Sequence, residues 1–258
     1  MYKSFTADEF KKHCSLPPDY EVAGFICYGA WDDEKHFKNF EDALKDLGIE
    51  HKINKLEYKF LQHIREIEID NKKYWFTIEY GGATLSEYLH LACLFGSKKN
   101  IHIGSCGGLN PNLNSLDLIV PTYTYGNEST TRIYAREVKD NIHYSTKTIS
   151  QELIKNTPKN LKIDTGPIMG CQAMMGETWE DVKSWSEAGY SGVEMETAVF
   201  FAVSNHFKVS CGALIYISDN LIKGQTCHSE SHKNEKTKRE AVKAEVYKVA
   251  IKTIINIK

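Results

Sequence analysis

The sequence predicts an α/β layered domain with a mixed sheet. Three observations predict it. Short apolar runs such as GFICYGAW (24–31) and SCGALIYISDN (210–220) have the length of buried strands. Segments of helical period alternate with them along the chain. Three of these strands end in small or charged residues, where ligands of such sheets bind.

In chain order, residues 5–13 read as a short capped helix and Pro17-Pro18 breaks the chain. Strand 24–31 leads into an amphipathic helix over 32–48, with Phe37, Phe40, Ala43, Leu44 and Leu47 at helical spacing. Asp32, Asp33 and Glu34 complement its dipole. Residues 65–82 alternate around Asp70-Asn71 and predict a hairpin. A helix over 83–96 stops at Gly96, and a strand over 100–104 runs into a Ser-Cys-Gly-Gly-Leu turn. Residues 116–125 read as a strand, and 148–157 and 177–189 as helices. GVEME (192–196) closes a strand and opens a helix to about His206. After strand 210–220, a polar segment over 223–240 reads as a lid or a solvated loop, and a helix from Asn234 to Ile257 buries Val242, Val246, Val249, Ala250, Ile254 and Ile255.

The 258 residues fit one domain, with residues 1–20 as an N-terminal extension. A net charge of −2 gives no field to attract nucleic acid or an anionic membrane, so neither is an expected partner. The basic stretch Lys233–Lys243 is diluted by Glu235 and Glu240 and reads as a solvated helix face. The seven cysteines are odd in number and form no C-x-x-C pair, which fits a reducing, cytoplasmic setting. The N-terminal residues have no apolar signal core, and no run approaches the roughly 20 apolar residues of a membrane span. A zinc site from Cys227, His228 and His232 has poor spacing, and no metal is expected.

Three segments carry candidate chemistry. Gly104, Ser105, Cys106, Gly107 and Gly108 offer a hydroxyl and lightly covered backbone amides, suited to an anion or a water, or simply a tight turn. Glu194, Met195 and Glu196 place two carboxylates at a strand end, where a carboxylate can accept both hydroxyls of a ribose and methionine can pack on the sugar. The plainer alternative is a pair of acids at a helix N-terminus. Ser218, Asp219 and Asn220 break the most apolar strand. An aspartate partly removed from water can act as a general acid, although an Asx turn uses the same residues.

In this order and separation, GSCGGL, GVEMET and SDN resemble the nucleoside phosphorylase/nucleosidase superfamily, which includes purine nucleoside phosphorylases, uridine phosphorylases and methylthioadenosine nucleosidases. The likeness runs from GGATLSEYLHLACLFGSKKNIHIGSCGGL (81–109) through LDLIVP (116–121) to the last helix. It implies a three-layer α/β sandwich with a central curled mixed β-sheet, a homo-oligomer (dimer, trimer or hexamer), and no cofactor beyond phosphate as co-substrate. It also implies N-glycosidic cleavage of a nucleoside. Glu196 would hold the ribose hydroxyls, Met195 would pack on the sugar, and Glu194 would lie near the base. Asp219 with Ser218 would face the base and protonate a purine ring nitrogen. Ser105, Gly104 and Gly107 would contact the nucleophile, and Met174 or Met175 the base.

The nucleophile is the point of departure. Phosphorylases of this family open with a Gly-Asp-Pro loop bearing an arginine, and carry a second arginine two residues before the Gly-Ser turn. Here the loop reads Gly29-Ala30-Trp31-Asp32-Asp33-Glu34 and the second position is His102. Phosphate wants cations, and three acids would repel it. The loop resembles that of methylthioadenosine nucleosidases, in which Glu34 would be the base activating water. The expectation therefore favours hydrolysis, with phosphorolysis as the alternative and a nucleoside-binding protein without turnover as a further one. Gln172-Ala173-Met174 lacks the arginine of the Gln-x-Arg element that reads uracil, and no G-x-G-x-x-G follows an early strand to suggest a dinucleotide site.

Overall fold

The computed structural model describes residues 4–31 and 33–256. Asp32 and Ile257, expected in helices, lie outside the described residues, as do the side chains of Asp33 and His232. The described elements are α1 (Ala7–His13), β1 (Gly24–Gly29), α2 (Asp33–Asp46), β2 (Lys52–Lys55), β3 (Arg65–Ile69), β4 (Lys72–Glu79), α3 (Gly82–Leu94), β5 (Lys99–Gly108), β6 (Leu118–Ile119), β7 (Tyr123–Tyr125) and α4 (Ser129–Tyr134). They continue as β8 (Ile142–Tyr144), α5 (Lys147–Asn156), β9 (Ile163–Asp164), β10 (Ile168–Gly170), α6 (Trp179–Glu187), β11 (Gly192–Glu194), α7 (Thr197–His206), β12 (Ser210–Asn220), α8 (Glu230–Asn234) and α9 (Lys236–Ile255).

The strands form one mixed sheet between two helical layers, the three-layer α/β sandwich implied by the sequence. Alternate side chains of the central strands feed opposite cores. Phe25, Cys27, Ala213 and Ile215 pack with α3 and α7 through Leu85, Leu89, Val199 and Phe200. Ile26, Tyr28, Ile101, Ile103, Leu214 and Tyr216 pack with α2, α5 and α9. The sheet order is β2-β3-β4-β1-β5-β11-β10-β7-β8, and β12 also pairs with β5. Strand β5 is ten residues long. Its first half lies parallel to β1, its last two residues antiparallel to β11, and its whole length parallel to β12. One strand thus holds three neighbours, and the sheet curls around it.

Several expectations change in detail. Ser105–Gly108 does not turn: it continues β5, with Ser105 opposite Tyr216 and Gly108 opposite Asn220. The side-chain-poor sequence lets β11 and β12 approach closely, since a Cβ on Gly108 would lie 2.9 Å from Ile217 of β12 and one on Gly192 of β11 2.7 Å from Cys106. The expected strand over 116–125 is divided into β6 and β7 around Pro121, which cannot donate to a ladder. Asp70 and Asn71 both take positive φ (51° and 59°), as a tight hairpin turn requires. Thr6 and Glu9 form a reciprocal capping box at α1. Among the described residues no helix is long and apolar enough to cross a membrane.

Candidate active site

The carboxyl ends of β1, β5, β11 and β12 open into a cavity of about 630 Å³. Its lining includes Ser105, Gly107, Met174, Glu194, Met195, Glu196, Ser218 and Asp219, residues contributed by four separate stretches of chain. Gly104 and Glu34 are not in the wall. Gly104 is buried in β5 against the backbone of Gly29, and Glu34 is exposed on the first turn of α2. Of the two adjacent methionines, Met174 lines the cavity and Met175 is 91% exposed.

The two glutamates divide their work. Glu194 ends β11, and its Oε2 accepts from the backbone N–H groups of Glu196 and Thr197 at 2.9 Å each. It therefore satisfies free donors at the start of α7. Glu196 reaches away from that helix and accepts from Gly81 N at 2.6 Å. Gly29 is required beside it, because a Cβ there would stand 2.7 Å from Glu196 Oε2 and 3.2 Å from His102 Nε2. His102 bonds Thr197 Oγ1 through Nδ1 at 3.0 Å and turns Nε2 toward the glutamates. Gln172 clamps the group: its Oε1 accepts from Gly82 N at 3.0 Å and its Nε2 donates to Met195 O.

Burial raises both carboxyls above the ordinary value of 4.5, and repulsion from Glu194 raises Glu196 further. Burial pushes His102 down to about 3, so its imidazole is neutral. The signs of these shifts differ. The unfolded chain protonates His102 below about 6.5, so its contribution to stability is lost as pH falls through that value and is flat above it. The folded glutamates keep protons that the unfolded chain releases above 4.5, so their contribution falls as pH rises. Within this cluster the glutamates alone therefore set the slope above pH 6.5. The melting temperature of the ligand-free protein should fall between pH 6.5 and about 8, and Glu196→Gln should flatten that fall. A thermal-shift series in matched buffers checks it.

On β12 the register with β5 shifts between Ile217 and Asp219, a bulge that takes up Ser218. Bulges re-aim side chains at sheet ends. Ser218 Oγ donates to Asp219 Oδ1 and lies 3.2 Å from Cys106 O. The capping role falls to the next residue: Asn220 Oδ1 accepts from Lys223 N at 3.2 Å, and its Nδ2 donates to Asn110 O and Leu113 O at 2.9 Å. Asp219 is left facing the cavity, only 7% exposed.

The basic stretch is a solvated face at Lys233, Lys236 and Lys238, as its composition suggested, but not at Arg239 and Lys243. Lys233, Lys236, Arg239 and Lys243 line this same cavity, and Arg239 is 6% exposed. Tyr28, His36, Tyr80, Glu177 and Tyr216 also line the wall and were missed. The i, i+3, i+7 spacing of Lys236, Arg239 and Lys243 was the signal that one helix face carried them.

Residues 82–252 match the family model of the phosphorylase superfamily. The chain belongs to that superfamily. Among curated relatives of this phosphorylase-superfamily chain, a DeoD-type purine nucleoside phosphorylase of Clostridium beijerinckii is 28% identical over 170 residues, covering 63% of this chain and 66% of its own. The DeoD-type 2 enzyme of Vibrio vulnificus is 22% identical over 216 residues, covering 77% and 86%. Two solved structures share the superfamily fold. A candidate methylthioadenosine nucleosidase from Weissella paramesenteroides has a TM-score of 0.67 at 16% identity, covering 91% of this chain and 98% of its own. Purine nucleoside phosphorylase from Toxoplasma gondii, solved with immucillin-H, has a TM-score of 0.71 at 14% identity, covering 94% of each chain.

Proposed function

We propose that this protein cleaves the N-glycosidic bond of purine nucleosides, releasing the free base, with phosphate as acceptor. The observation that carries the reading is the common cavity of Glu196 and Asp219. Cleavage builds positive charge on the sugar and negative charge on the base. A carboxylate at the sugar stabilises the first, and a proton from Asp219 to a purine ring nitrogen relieves the second. Ribose hydroxyls donate to Glu196, which favours its ionised form once the substrate is bound. Met195 packs on the sugar and Met174 on the base. No cofactor is needed, since side chains supply both stabilising charges.

Purine is favoured over pyrimidine because Gln172-Ala173-Met174 lacks the arginine of the uracil-reading element, and Gln172 itself is tied to Gly82 N and Met195 O. Phosphate is favoured over water for two reasons. Glu34, the base required by the hydrolytic reading, is exposed and outside the wall, whereas four cations stand in it. A homo-oligomer is the assembly that the family likeness implies. Seven free cysteines fit a reducing cytoplasm.

The test is a panel of purine and pyrimidine nucleosides incubated with and without phosphate, with the sugar product identified. The expected result is purine release that depends on phosphate and yields ribose 1-phosphate. Free ribose formed equally without phosphate, and abolished by Glu34→Gln, would establish hydrolysis instead. Tight nucleoside binding with no base released under either condition would mark a binding protein.

A further inference from the structure

Three buried side chains at the strand ends share one construction: each ties down one polar atom and leaves another for its neighbours. His102 on β5 is tied through Nδ1, 3.0 Å from Thr197 Oγ1. In the tautomer whose Nδ1–H donates to that hydroxyl, Nε2 presents a lone pair. His102 is 1% exposed, and its Nε2 has no hydrogen-bond partner among the described residues. Glu194 is tied through Oε2, which accepts from the amides of Glu196 and Thr197. Its Oε1 is also buried and without a partner among the described residues. Glu196 is tied through Oε1, which accepts from Gly81 N. Its Oε2 and His102 Nε2 both lie over Gly29, where a Cβ would stand 2.7 Å from the one and 3.2 Å from the other.

One ligand-type atom from each of these three residues lies within 4.8 Å of the other two. Buried polar atoms without partners are rare and call for a reason. Here the atoms are all electron-pair donors, so no bond among them satisfies the group, whereas a cation satisfies all three. The tied atoms are what such a site needs around it. A ligating histidine ordinarily donates its other N–H to a fixed acceptor, and ligating carboxylates are hydrogen-bonded in turn. A neutral imidazole and two carboxylates balance a divalent charge. One nitrogen and a small ligand set suit the zinc class of ions, while magnesium and calcium prefer larger shells of oxygen. Gly29, Glu194 and Glu196 line the cavity, which gives the ion a path of entry and leaves its remaining positions to water.

We propose that His102, Glu194 and Glu196 form a binding site for a divalent transition-metal ion of the zinc class. The consequence for activity rests on the glycosidic-cleavage reading, in which Glu196 holds the ribose hydroxyls. The ion and the nucleoside then exclude each other, and the metal is an inhibitor of cleavage rather than a cofactor for it.

The experiment titrates zinc chloride into the full chain, stripped with chelator and dialysed, by calorimetry without nucleoside. Wild type should bind one ion per chain at this site, and His102→Gln should weaken that binding at least about tenfold. The Cys227→Ser/His228→Gln double variant changes two exposed residues and should stay within about twofold of wild type. Because His102 is buried, X-ray absorption of the zinc-loaded wild type decides the matter if His102→Gln fails to fold. It should show imidazole and oxygen ligands at about 2.0–2.2 Å, and a sulfur shell near about 2.3 Å would place the ion on cysteines instead. No zinc binding by wild type, unchanged affinity in His102→Gln, equal weakening in the double variant or a sulfur shell would each overturn the site. Inosine at ten times its own Kd should then raise the apparent Kd for zinc about tenfold. Zinc held through His102 but indifferent to bound inosine keeps the metal site and removes the ribose from Glu196. Base release from inosine by a protein that binds no zinc removes the metal site and keeps the cleavage reading.

Discussion

Asp219→Asn is expected to slow purine nucleoside cleavage by at least about 10²-fold while leaving the fold intact. The substitution is nearly isosteric. An asparagine carbonyl can still accept the bond that Ser218 gives to Asp219 Oδ1, and the capping duties at this turn belong to Asn220. What is lost is the transferable proton. The purine must then leave as an anion or take its proton from solvent, and the barrier rises accordingly. Steady-state rates with circular dichroism and melting temperature as controls check the result. A variant that folds and turns over like wild type would remove Asp219 from the chemistry.

Glu196→Gln is expected to act differently on two sugars. Hydrogen bonds to a charged group exceed neutral ones by about 1 kcal/mol or more, and a ribonucleoside offers a 2′-hydroxyl that a 2′-deoxyribonucleoside lacks. Both substrates lose the negative charge that stabilises the developing oxocarbenium ion. The ribonucleoside loses a charge-assisted hydroxyl contact in addition, so its kcat/KM should fall roughly tenfold further. Glutamine can still accept from Gly81 N, which keeps the β4–α3 turn in place. Equal losses on both sugars would place the 2′-hydroxyl elsewhere.

The layered fold was legible because its determinants are local. Apolar strand runs, the Asp70-Asn71 turn and the apolar face of α9 are each written within a few residues. The convergence of 194–196 and 218–219 was legible through strand ends and through the family likeness. The division of labour within each pair was not. That Glu194 caps α7 while Glu196 reaches Gly81, and that Asn220 caps while Asp219 faces the cavity, depends on a bulge and a neighbouring loop. The β5 segment was misread because glycines permit a turn and also permit close strand packing, and only the neighbours β11 and β12 decide between them. Arg239 and Lys243 of α9 were misread for a related reason. Charge composition looks the same on a helix facing water and on one facing a polar cavity, and only the path of the chain over the sheet edge tells them apart.

The central claim is that one cavity holds a nucleoside with its ribose on Glu196 and its base on Asp219. A crystal structure with a non-cleavable purine ribonucleoside analogue tests it most directly. The account predicts ribose hydroxyls within hydrogen-bond reach of the Glu196 carboxylate and a ring nitrogen of the base within reach of Asp219. A ligand bound elsewhere, or seated in the cavity with its sugar away from Glu196, would contradict it.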